Sequence, residues 1–140
     1  MTTEQMLKVA VNALSSKKAV DIKVLKIEKL TIVADYFIIC NGTSVTQIKA
    51  LADEVEFRLE QAGTRVLHRE GYGSGSWVLL DYGPLIVHIF HPNSREFYNL
   101  EKLWADAVEI DAGTLLDEET KGRALSWIGE VNNEVRPQVN

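Results

Sequence analysis

Trp77-Val78-Leu79-Leu80-Asp81-Tyr82-Gly83-Pro84-Leu85-Ile86-Val87-His88-Ile89-Phe90 reads as two apolar strands folded back on each other about a Gly-Pro corner. Glycine takes the positive φ of a tight turn and proline supplies the next bend. A two-residue loop sets Tyr82 opposite Leu85, Leu80 opposite Val87 and Val78 opposite Ile89. Those six side chains share one wholly apolar face, which belongs to a core. The other face collects Trp77, Leu79, Asp81, Ile86, His88 and Phe90. It is too apolar to stand in water and holds two polar groups that need partners. A helix of the chain, or another protein, must cover it.

Upstream, residues 35 to 41 form a run with almost no polar interruption, the pattern of a strand buried on both faces in mid-sheet. Val20-Asp21-Ile22-Lys23-Val24 alternates, as a strand with one wet face does. Met6, Leu7, Ala10, Val11 and Leu14 follow helical spacing over residues 3 to 15, behind a Thr2 and Gln5 cap. Ser44 and Gln47 make a second capping box before the stripe Ile48, Leu51, Ala52, Val55, Leu59 and Ala62. A helix between strands is the crossover that parallel pairing requires, so the sheet is expected to be mixed. Residues 65 to 68 read as a short strand, and residues 70 to 76, rich in glycine, as a connection. That connection leads into a strand without a Lys-Ser/Thr pair, whereas a phosphate loop must open a helix.

Downstream, Asn93 with Glu96 is a candidate capping box for one helix over residues 95 to 104. Its expected buried stripe is Phe97, Leu100, Leu103 and Trp104, with Tyr98 and Glu101 one step round the cylinder, facing a partner or lying on the domain's own surface. Residues 106 to 140 are read as an acidic C-terminal extension, partly helical, in which Asp117-Glu118-Glu119-Thr120 opens toward Ala124, Leu125, Trp127, Ile128 and Val131.

The chain of 140 residues suits one domain, and its formal charge is -5. Acidic and basic side chains balance over residues 1 to 105, so the excess negative charge falls in the tail. A neutral body with an acidic arm is a poor binder of bare nucleic acid, which is held mainly by Lys and Arg, and no direct sequence-specific nucleic-acid binding is expected. The apolar runs at 36 to 40 and 77 to 80 are far shorter than the roughly 20 residues a membrane helix needs. The N-terminus has neither signal nor transit character, and a cytoplasmic location is expected. The single cysteine, Cys40, sits in an apolar run as a buried thiol. Asp81 and His88 are diagonal neighbours on the second face of the hairpin, which as an acid and imidazole pair is a fragment of catalytic machinery. With no nucleophile or metal ligand placed nearby, a satisfied polar pair or an interface contact is the better reading. His88 and His91 point to opposite faces, and His68 has no cysteine partner, so neither metal nor cofactor is expected.

Asp35-Tyr36-Phe37-Ile38-Ile39-Cys40-Asn41-Gly42-Thr43-Ser44 resembles the signature of the Iojap (RsfS) family of ribosomal silencing factors. Glu70-Gly71, Trp77 to Gly83, Ile86 to Phe90 and Arg95 to Trp104 match in the same order, and the resemblance covers about residues 4 to 105. It implies an α/β domain over residues 1 to 105 similar to the nucleotidyltransferase fold, with a mixed sheet of about five strands flanked by helices and without catalytic residues. It also implies a non-enzymatic protein that binds the large ribosomal subunit through ribosomal protein uL14. By bulk it would block subunit association, repressing translation when nutrients are scarce, and the free protein would form a homodimer. The partner surface carried over from the family is Trp77, Asp81, Tyr82, Leu85, His88 and Tyr98. Most relatives have Gly-Asp where this chain has Gly83-Pro84, which removes one acidic contact and leaves Asp81 and Glu101 to complement a basic surface. The alternatives are a nucleotidyltransferase-like enzyme built on Asp35 and Asp81, a dimeric scaffold, or a large-subunit biogenesis factor like the organelle relatives.

Overall fold

A computed structural model describes residues 1–122. The first helix, α1 (Thr3–Ser16), begins at a complete capping box, with Thr2 and Gln5 each accepting the other's backbone N–H. Strand β1 (Val20–Lys26) pairs antiparallel with β2 (Tyr36–Asn41), and β2 leads into α2 (Val45–Gln61). At α2 only half of the expected box forms: Ser44 accepts from Gln47 N, but the Gln47 side chain turns to the Thr43 amide and to the carbonyls of Lys17 and Lys18. The short β3 (His68–Glu70), then β4 (Trp77–Asp81) and β5 (Leu85–Phe90), complete an antiparallel run. Strand β5 returns beside β2 in parallel, so α2 and the hairpin together form the crossover.

The sheet has six strands in the order β3-β4-β5-β2-β1-β6, one more than expected. The added strand, β6 (Val108–Ile110), pairs antiparallel with β1. Its three residues carry too little alternation to stand out in sequence. The strand expected at 65 to 68 forms instead at 68 to 70, where all three side chains are exposed. An edge strand is selected by its pairing with β4 rather than by apolar content.

One sheet face is covered by α1 and α2. Val78, Leu80, Tyr82, Leu85, Val87 and Ile89 of the hairpin meet Val24, Ile38 and Cys40 there, beneath Leu7, Val11, Leu14, Leu51, Val55 and Leu59. Behind β6, Ala112–Leu115 form a 3-10 turn that packs on α1. Buried Asn12 holds this segment, donating to Leu115 O and accepting from Asp117 N. Residues 118–122 are helical, with Asp117 accepting from Thr120 N, while the stripe from Ala124 to Val131 lies outside the described residues.

The segment after β5 is not the single helix expected at 95 to 104. Helix α3 (Pro92–Tyr98) starts earlier, with His91 as its cap accepting from Asn93 N and Pro92 in the first turn, where its missing N–H costs nothing. Asn99 then adopts the left-handed conformation (φ 46°), and a short α4 (Leu100–Leu103) sets off in a new direction. The break divides the expected buried stripe. Leu100 and Trp104 pack on the second sheet face, whereas Phe97 is 80% and Leu103 71% exposed.

Candidate functional site: the open half of the second sheet face

The registers align three rows across the second face. One runs Leu25, Phe37, Ile86, Asp81, His68; the next Lys23, Ile39, His88, Leu79, Glu70; the third Asn41, Phe90, Trp77. Residues 92 to 107 cross this face as a strap, and Leu100, Trp104 and Ala107 pack against Leu25, Phe37, Ile39 and Ile86. The β4 side is left more open: Trp77, Leu79 and Asp81 are half-buried, and Tyr98 is 50% exposed.

Arg95 fastens the strap. Its side chain is buried yet fully engaged, donating at 2.7 Å to Asn41 Oδ1 and at 2.7 Å to the Asp21 carbonyl, and meeting Glu101 at 3.1 Å. The Asp21 carbonyl is available because β1 carries an irregularity between Val20 and Lys23, with Asp21 at φ 51°. Asn99 reverses the chain between Arg95 and Glu101, which lets the acid return to the guanidinium. Sequence spacing gave no sign of Arg95's role, because Asn41 and Asp21, the partners that tie it to the sheet, lie 54 and 74 positions away.

Beside the strap stands an aromatic cluster. Trp77 stacks on Phe90 (centroids 4.9 Å apart) and meets Tyr98 at 4.6 Å. Its indole Nε1–H donates to His88 Nδ1 at 3.1 Å. Phe37 meets the same imidazole edge to face at 4.7 Å and Trp104 at 5.4 Å. Burial pushes the His88 pKa down to about 4, so the ring is neutral near pH 7 with its proton on Nε2. That nitrogen has no hydrogen-bond partner among the described residues.

The six residues carried over as a partner surface therefore divide. Trp77, His88 and Tyr98 come together, Tyr98 open and His88 only 4% exposed beneath the indole. Asp81 sits at the turn, where its carboxylate accepts from Gly83 N at 2.8 Å. Tyr82 and Leu85 lie on the other face, buried in the α1/α2 core, and burial raises the Tyr82 pKa. Asp81 and His88 do not pair: Asp81 stands opposite Ile86 and His88 opposite Leu79, and each polar group is engaged elsewhere. Cys40 is buried, and burial pushes its thiol up to about 12. Among the described residues no group of three or more His, Cys, Asp or Glu is placed to hold a metal ion, and no helix is long and apolar enough to cross a membrane. Pro84 ties the hairpin turn to β2, its carbonyl accepting from both Asp35 N and Tyr36 N.

The family model described as "Ribosomal silencing factor during starvation" matches residues 1–134. The chain belongs to this family, RsfS. The match takes in β6 and the 112 to 115 turn as well as the blocks first noted in the sequence. Relatives include the ribosomal silencing factor RsfS of Bacillus subtilis, 43% identical over 81% of this chain and 98% of that protein. The RsfS of Halalkalibacterium halodurans is 40% identical over 79% of this chain and 95% of its own. A crystal structure of a Chromobacterium violaceum protein has the same fold, with a TM-score of 0.74 and 39% identity over 75% of this chain and 88% of that one.

Proposed function

We propose that this protein is a cytoplasmic, non-enzymatic ribosomal silencing factor. It binds the large ribosomal subunit through ribosomal protein uL14 and blocks subunit association by occupying the joining surface, repressing translation under nutrient limitation. Membership of the RsfS family supports the silencing role. The observation that carries the binding mode is the exposed aromatic edge: Tyr98 against Trp77, extended by Phe97, on a sheet face that the strap leaves half open. Aromatic side chains that are already ordered lose little freedom on docking and bury a large area, the usual composition of an interface anchor. Asp81 and Glu70 at the rim add negative charge suited to a basic protein surface. Exclusion by bulk needs no reacting group.

Sedimentation of purified subunits through sucrose gradients tests this. The protein should travel with the large subunit and reduce pairing, and Trp77→Ala with Tyr98→Ala should lose at least about tenfold in binding while still folding. Normal subunit pairing, with the protein remaining at the top of the gradient, would refute the proposal.

A further inference from the structure

We infer that His88 is a positioning residue for the partner surface: it sits below that surface and holds the Trp77 indole in the one orientation that docking uses. The inference rests on the reading of Trp77 as a partner contact. Stacking on Phe90 (interplanar angle 29°) and contact with Tyr98 (46°) set the tilt of the indole. Neither settles a half-turn about Cβ–Cγ, because that flip keeps the ring plane, and with it most of the stacking, while carrying Nε1 to the opposite side. Among the described residues the one directional contact of the indole is the hydrogen bond from Nε1 to His88 Nδ1. Only a neutral imidazole with its proton on Nε2 can accept it. That tautomer leaves a buried Nε2–H without a partner among the described residues, a cost the fold accepts while His88, at 4% exposure, has almost no surface to offer a partner. The Phe37 ring, from the adjacent strand on the same face, meets the imidazole edge to face and confines it laterally.

The test separates acceptor from ring. Asparagine places Oδ1 at the same bond distance from Cβ as Nδ1, so His88→Asn retains an acceptor for the indole, whereas His88→Leu and His88→Phe fill the space without one. Exchange of the Trp77 indole proton with solvent, assigned through Trp77→Phe, reads orientation directly by ¹⁵N-resolved NMR. Binding to purified large subunits reads the consequence. The Leu and Phe variants should exchange that proton at least about tenfold faster and bind about fivefold more weakly, the loss expected when one side chain must be ordered on docking. His88→Asn should restore both to within about twofold. Unchanged exchange in both acceptor-free variants would overturn the inference. So would an Asn variant with a protected indole that binds as poorly as Leu, since His88 would then touch the partner itself. If the wild type binds no large subunit, the silencing role fails, while indole exchange still decides whether His88 orients Trp77.

Discussion

Acidification should destabilise this fold through His88. In the unfolded chain the imidazole takes up a proton near its ordinary value of 6.5, whereas burial holds the folded group near 4. Between those values the unfolded state binds more protons, so stability falls as pH drops through the window and levels off below it. At about 1.4 kcal/mol per unit, the whole span is worth about 3 kcal/mol, of which about 2 kcal/mol falls between pH 7 and pH 5. The group is almost fully buried, so solvent screening removes little of this. Urea unfolding at pH 7 and pH 5, on the wild type and on His88→Asn, isolates the contribution. Both proteins carry the same carboxylates, and only the wild type carries this imidazole. The wild type should lose about 2 kcal/mol more than the variant on going to pH 5. Tryptophan emission of the folded protein should hold through that window and change only near pH 4, where the imidazole itself takes up a proton and the Trp77 contact is lost. Equal losses in the two proteins, or a larger loss in the variant, would show that His88 is not held neutral by burial.

Two further substitutions probe how the site is supported. Arg95→Met should cost about 3 kcal/mol in urea or thermal unfolding, because it strands Asn41 Oδ1 in the core and releases Glu101 and the Asp21 carbonyl. Gly71→Ala should destabilise by about 2 kcal/mol or more in the same assay and weaken large-subunit binding, since Gly71 has φ 80° and a Cβ there would lie 1.9 Å from the Trp77 carbonyl oxygen.

Local patterns foretold most of the core. Alternation about Gly83-Pro84 yields the observed hairpin register, Val78 with Ile89 and Leu80 with Val87, because a strand's side-chain period of two leaves only one register that gathers the apolar set. The helices at Thr3–Ser16 and Val45–Gln61 followed from apolar stripes and cap residues, both local signals. The same alternation set Tyr82 and Leu85 on the core face, where the structure buries them, although family likeness had grouped them with Trp77. The strap was illegible for a different reason. A stripe of Phe97, Leu100, Leu103 and Trp104 describes a straight helix well, and nothing in the spacing announces the left-handed Asn99 that turns Phe97 and Leu103 outward.

Residue order and periodicity were therefore enough to settle α1, α2, the central strands and which side of the hairpin enters the core, since those choices depend on neighbours a few positions apart, but not β6, the place of β3 or the break at Asn99. The accessible edge of the second face, the Arg95 clamp and the hydrogen bond from Trp77 to His88 were decided only when distant segments met. Burial and partnership are properties of that meeting: a histidine in an apolar strand has the same local sequence whether it faces a partner or lies beneath a tryptophan.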